Sequence, residues 1–237
     1  MGGGTESVGG RGRPGGAVAL PWTLGALQGP GKAAIGWGLR LHASLCVHGA
    51  DRVPRRGPVI LAANHQSMLD VPLLVVACPR PVTFMANVGI FRGPAWSTLF
   101  HLLGGFPVDS ASGSDRRALE VGTAILESGR ILGIYPEGTR SRTGAMLAFQ
   151  AGAAWLSLRT GAPIVPVGIR GTLSVRRFGE LLWIAGMWPR RASISFGAPM
   201  LPGREPDARR RRGRIPEVTA ELRRAIAALA GLDPGTG

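Results

Sequence analysis

His65 and Asp70 are the residues whose types and spacing most directly offer chemistry in this chain. They lie within Asn64-His65-Gln66-Ser67-Met68-Leu69-Asp70. An imidazole and a carboxylate with four residues between them can meet where a strand turns into a helix. The carboxylate then accepts a hydrogen bond from one ring nitrogen, fixes the tautomer and leaves the other nitrogen free to take a proton. Such a pair activates a hydroxyl, either of a serine in the protein or of a substrate. The spacing by itself also fits a capping or packing arrangement, so its meaning depends on what else the chain carries.

A second polar stretch, Pro136-Glu137-Gly138-Thr139-Arg140-Ser141, joins an acid, a hydroxyl and a guanidinium within a few residues. Gly138 permits close backbone approach to a ligand. Arg140 can grip a phosphate with two parallel hydrogen bonds. Glu137 would repel a phosphate, so it either orients Arg140 or accepts from a substrate hydroxyl. A surface Pro-Glu-Gly turn is the plain alternative.

Both stretches follow apolar runs that must position them. Val59-Ile60-Leu61-Ala62-Ala63, preceded by Gly57-Pro58, reads as a buried strand. A helix is expected to start near Ser67 and to contain Val71–Val76. Residues 81–86 read as a second strand, 87–94 as a turn, 96–103 as a helix and 104–109 as a short strand. Residues 115–128 have helical spacing and end at Gly129, a good stop residue. Ile131–Tyr135 is a buried strand that runs into Pro136. Beyond it come a helix over 149–159 and a strand over 162–169, with Pro163 and Pro166 marking its start and a bend. The apolar stretch 181–188 is a buried strand or a membrane-facing flap, and 192–196 alternates as a strand. Pro216–Leu229 reads as a helix with proline at its start, preceded by a solvated run, Arg209–Arg212 with Arg214, that is available to anionic lipid.

Strands alternating with helices over 237 residues suit one α/β domain, alone or with a small appendage. The formal charge is +14, from 28 Lys and Arg against 14 Asp and Glu. That balance favours anionic membranes or anionic small molecules. Nucleic acid is the weaker reading, because zinc-finger spacing, an aromatic RNA-binding signature and a helix-turn-helix pattern are all missing. Cys46 and Cys78 are too few for a disulfide framework and sit in no metal-ligand pattern. No run approaches ~18 consecutive apolar residues, so a conventional membrane span is not expected. Residues 1–30 read as a flexible Gly-rich N-terminus. Residues 17–27 only faintly resemble a signal peptide, and Glu6 stands where myristoylation expects Ser or Thr. Lys32–Val47 carries an apolar stripe with Lys32, Arg40 and His42 among it. This fits an amphipathic helix in a membrane interface or a helix packed on the domain's own core.

In chain order, Asn64-His65-x4-Asp70, Gly104-Gly105-Phe106-Pro107-Val108-Asp109, Tyr135-Pro136-Glu137-Gly138-Thr139-Arg140-Ser141 and Ile164-Val165-Pro166-Val167 resemble the four motifs of the glycerolipid acyltransferase family. Its best-known members are 1-acylglycerol-3-phosphate acyltransferases. The resemblance spans residues from about 50 to about 200. It implies a mixed β-sheet flanked by helices, with an N-terminal membrane-docking helix over 31–50 and the acyltransferase domain over 51–232. It implies acyl transfer from acyl-CoA or acyl carrier protein to the free hydroxyl of a lysophospholipid. His65 would be the general base, and Asp70 would hold the imidazole. Gly138, Thr139 and Arg140 would bind the acceptor's glycerol phosphate, with Glu137 positioning them, and Pro166 would shape the acyl pocket. Backbone amides near the first or third motif would serve the oxyanion. No metal or bound cofactor is required. The expected setting is the cytoplasmic face of the membrane, in contact with anionic lipid and without a nucleic-acid partner.

Two positions depart from the family's pattern. Many members carry Lys where this chain has Asn87, and Arg where it has Ser110. One charge-assisted hydrogen bond to phosphate contributes about 1.5–3 kcal/mol. Arg92, Arg116 and Arg117 are near in sequence and would substitute. Alternatively, the acceptor is another lysophospholipid or an amino-acid-linked lysolipid. An inactive lipid-binding protein of the same fold is the remaining alternative.

Overall fold

The structure, a computed structural model, describes residues 45–87, 104–108, 115–173 and 192–234. Strands β1 (Cys46–His48), β2 (Val59–Ala63), β3 (Val82–Asn87), β4 (Gly105–Val108), β5 (Ile131–Ile134), β6 (Ile164–Arg170) and β7 (Ser193–Phe196) form one sheet. The helices are α1 (Asp70–Ala77), α2 (Asp115–Glu127), α3 (Gly152–Thr160) and α4 (Ala208–Ala230). The strand order is β1-β7-β6-β2-β5-β3-β4. β2 to β6 run parallel to one another, β7 is antiparallel to β6, and β1 is parallel to β7. The expected mixed α/β sheet with flanking helices is what forms.

β2 lies between β6 and β5, and every one of its residues is buried. A strand covered on both faces reads as a continuous apolar run rather than an alternating one. Alternate residues divide between two cores. Val59, Leu61 and Ala63 face α1, together with Ile131, Val165 and Val167. Ile60 and Ala62 face α2, α3 and α4, together with Leu132 and Ile164. α1 is apolar almost all round and mostly buried, as suits a core helix. α4 approaches β6 so closely that a Cβ on Gly168 would overlap the backbone of Leu229 and Ala230.

Several boundaries differ from the sequence reading. Cys46–His48 is a strand paired with Ser193–Ser195, so the helix expected over 31–50 does not include its C-terminal end. The physical reason is edge pairing with β7, which needs no periodic pattern. Residues 31–44 of that helix lie outside the described residues, as do the expected helix over 96–103 and the stretch 181–188. α1 starts at Asp70, after a turn over 67–69. β3 includes Asn87, which the sequence reading put in the turn. α4 begins at Ala208 rather than at Pro216, and so absorbs the arginine run. Asp207 supplies the reason: its Oδ1 accepts from the Arg210 amide at 2.7 Å and caps the helix. Pro216 then lies inside the helix at an exposed position. The bend expected at Pro166 is not needed. Its residue pairs with Ala62 on one side, and the β7 ladder starts just beyond it, at Val167 opposite Phe196.

The close approach of α4 to β6 can be tested directly. Gly168→Ala should lower the unfolding free energy by about 1–3 kcal/mol through overpacking. Urea denaturation followed by circular dichroism measures it, and a wild-type midpoint would contradict the packing described.

Candidate active site

The dyad forms at the carboxyl end of β2. His65 Nδ1 lies 2.9 Å from Asp70 Oδ2. The Asp70 side chain is fully buried, and the His65 side chain keeps 15 % of its surface exposed. One ring nitrogen is thus engaged while the ring edge stays reachable. The same Oδ2 accepts from the amides of Gln66 at 2.6 Å and Ser67 at 2.8 Å. Asp70 stands in the first turn of α1, where the helix dipole favours an anion, and it reaches back over the loop it ends. The heptad therefore folds around its own final carboxylate.

The third motif grips the backbone of His65 on both sides. Glu137 Oε1 accepts from the His65 amide at 2.8 Å, and the Ser141 amide donates to the His65 carbonyl at 2.8 Å. Glu137 Oε2 accepts from the Leu147 amide at 2.9 Å. Each carboxylate oxygen of Glu137 thus meets a backbone N–H, and the side chain is buried. Its geometry is that of a brace between the two motifs, with both oxygens already engaged by the protein. Burial pushes the Glu137 pKa up, and the two amide bonds pull it back only in part.

Gly138 closes a turn by donating from its amide to the Tyr135 carbonyl at 2.9 Å. Its φ of 67° lies in the left-handed region, and a Cβ there would overlap the Gln150 side chain. Gly138 and Thr139 are exposed and Arg140 is half-buried, all in the loop that holds His65. Pro166 is elsewhere. It is buried on the face of the sheet opposite His65, where its ring and Leu229 of α4 both border Gly197. The structure thus brings His65, Asp70 and Glu137 together, sets Gly138 to Arg140 beside them, and leaves Pro166 across the sheet. β3 carries Asn87 at its end, and Ser110 lies outside the described residues.

Two residues quoted within the motifs take roles that the sequence does not announce. Asn64 is buried and bonds both backbone groups of Ile169, Nδ2 to the carbonyl at 2.9 Å and Oδ1 from the amide at 2.7 Å. It thereby extends the β2–β6 ladder with a side chain. Tyr135 stacks on His65, with ring centroids 4.1 Å apart and planes at 23°. A polar residue directly after a fully apolar strand was the available signal for Asn64. No group of three or more metal-ligating side chains occurs among the described residues.

The family model described as Acyltransferase matches residues 44–170. This chain belongs to the acyltransferase family. Among curated acyltransferase relatives, the 1-acyl-sn-glycerol-3-phosphate acyltransferase of Borreliella burgdorferi is 30% identical over 129 residues, 54% of this chain and 52% of that protein. The protein of the same name from Cocos nucifera is 33% identical over 115 residues, 48% of this chain and 37% of that one. The human 1-acyl-sn-glycerol-3-phosphate acyltransferase beta is 31% identical over 134 residues, 55% of this chain and 46% of the relative. The chain thus spans about half the length, or less, of the curated relatives it matches. In fold, this chain resembles the crystal structure of the 1-acyl-sn-glycerophosphate (LPA) acyltransferase PlsC from Thermotoga maritima. The TM-score is 0.59 at 24% identity, covering 87% of this chain and 80% of that one.

The brace can be tested by Glu137→Gln. An amide presents one oxygen and one NH2, so one of the two backbone amides loses its acceptor, at a cost of about 1–3 kcal/mol. The raised pKa adds a pH signature. The folded protein keeps this proton to higher pH than the unfolded chain, so the contribution is complete in acid and declines as pH rises through the raised value. Stability curves over pH should lose that slope in Glu137→Gln.

Proposed function

We propose that this chain transfers a fatty acyl group from an acyl thioester to the free hydroxyl of 1-acylglycerol-3-phosphate, giving phosphatidic acid. The observation that carries this reading is the dyad: a buried carboxylate on Nδ1 of a partly exposed imidazole, 2.9 Å away. The names of the relatives support the same acceptor.

His65 Nε2 takes the proton of the acceptor hydroxyl as its oxygen attacks the thioester carbonyl. Asp70 holds the ring and stabilises the imidazolium that forms. The tetrahedral intermediate collapses by breaking the carbon–sulfur bond, and the imidazolium returns the proton to the departing thiolate. The substrate's own hydroxyl is the nucleophile, so no acyl-enzyme forms. Gly138, Thr139 and Arg140 offer backbone approach, a hydroxyl and a guanidinium to the acceptor's glycerol phosphate. The donor is acyl-CoA or acyl carrier protein, and no metal or bound cofactor takes part. The protein works as a peripheral membrane protein on the cytoplasmic face, against anionic lipid. Among the described residues no helix is long and apolar enough to cross a membrane.

A second reading changes only the acceptor. Asn87 and Ser110 replace two cations of the family's pattern, which favours a lysophospholipid whose headgroup carries a weaker or displaced negative charge.

Acyl transfer from acyl-CoA and from acyl carrier protein to a panel of lysophospholipids decides between them. Transfer to lysophosphatidic acid should fall about 10²–10⁴-fold in His65→Ala. Preference for a headgroup-substituted acceptor would select the second reading. Activity unchanged by His65→Ala would overturn both.

A further inference from the structure

We propose that Tyr135 is a positioning residue for His65, the outer member of a column of packed groups, built from Gly133 and Phe84, that fixes the plane of the imidazole. The inference rests on His65 being the general base.

Asp70 constrains one ring nitrogen, and Glu137 and Ser141 constrain the backbone. The Asp70 bond restrains the direction of the Nδ1 edge, but none of these three contacts presses on a face of the ring, so the imidazole can still tilt within the angular tolerance of that one bond. That tilt swings Nε2, the atom that must meet the acceptor hydroxyl. The face of the ring therefore needs a stop. Tyr135 supplies it, at 4.1 Å between centroids and 23° between planes. Behind Tyr135 stands Phe84, with centroids 6.2 Å apart and planes at 15°. Each ring is thus stacked within about 25° of its neighbour, with His65 and Tyr135 in the closer contact.

The sheet sets this column. Gly133 and Tyr135 are two apart at the end of β5 and project to the same side. Phe84 of β3 is registered directly opposite Gly133. A Cβ on Gly133 would overlap the Phe84 ring, so the missing side chain is the space the ring uses. The glycine thus lets Phe84 back up Tyr135, which in turn backs up His65.

The tyrosine hydroxyl contributes nothing to this. Its oxygen is buried and has no hydrogen-bond partner among the described residues. Burial, and then the nearby charge of Asp70, push its pKa well above the usual phenol value, so it stays protonated. What His65 meets is the ring. The same π-face is also a favourable surface for a cation once the imidazole has taken its proton.

Four variants of the full chain test the column: Tyr135→Phe, Tyr135→Leu, Gly133→Ala and His65→Ala. Steady-state kinetics use lysophosphatidic acid and acyl-CoA. Histidine-labelled NMR reads the ring protons of His65, one of four histidines, assigned by their loss in His65→Ala. The expected wild-type spectrum shows those protons shifted upfield by the ring current of Tyr135. Tyr135→Phe should keep the shift and stay within about twofold of wild-type kcat. Tyr135→Leu and Gly133→Ala should lose or reduce the shift and lower kcat about 5- to 30-fold, with KM little changed. Wild-type kcat in Tyr135→Leu would overturn the proposal, as would equal impairment in Tyr135→Phe and Tyr135→Leu. If Tyr135→Leu fails to fold, Gly133→Ala and Tyr135→Phe carry the comparison. If the wild type transfers no acyl group, the functional reading fails and the spectrum alone judges the column: unshifted His65 protons would sink it.

Discussion

The hold that the third motif keeps on the backbone of His65 is the constraint on which the site depends. A general base, the role proposed for His65, works only if its nitrogen stays within hydrogen-bond reach of the proton it takes. His65 lies in a loop, where backbone freedom would ordinarily be large. Glu137 receives its amide and the Ser141 amide binds its carbonyl, so neither backbone polar group of His65 is left for solvent. Asp70 adds a side-chain anchor that also organises the amides of Gln66 and Ser67. The site is a loop given the rigidity of a strand by a neighbouring loop.

The sheet order explains how two distant motifs come to share one place. β2 and β5 are neighbours although α1, β3, β4 and α2 come between them in the chain. Both run in the same direction, so the loops that follow them emerge at the same edge. In parallel sheets this carboxyl edge is the usual home of ligand sites. Asn64 closes the other side of β2 by bonding Ile169 of β6. His65 is thereby bracketed by the two strands that flank its own. Pro166 sits on one of those strands but points away. Its ring borders Gly197 on the α4 side of the sheet, not the His65 ring.

Much of this is legible in the amino-acid sequence. The buried strands announce themselves as short β-branched runs, and α2 by its helical spacing with Gly129 beyond it. The dyad was readable because its partners are close in the chain and sit where an apolar run gives way to polar residues. What stayed hidden depends on distant partners. Nothing around Glu137 tells that its acceptor oxygens belong to the amides of His65 and Leu147. β1 is silent in the sequence because a three-residue edge strand with exposed ends has no periodic signature. The start of α4 is masked because an arginine run reads as solvent-loving, while the capping power of Asp207 outweighs that signal locally. The role of Gly133 is invisible in one dimension, since its neighbour Phe84 belongs to another strand.

The clamp on His65 also has a history in folding. His65 and Asp70 are five residues apart, whereas Glu137 lies 72 residues beyond the amide it binds. A refolding chain can bring the first pair together as soon as α1 and its preceding turn exist. The second contact waits until β2 and β5 have paired, which requires closing a long loop and is intrinsically slow. A partly folded chain would therefore hold its acid–base pair but not the frame that aims it. The aim of the imidazole is thus tied to the β2–β5 pairing, and a chain in which that pairing loosens loses the hold on the His65 amide while His65 and Asp70 stay close in sequence.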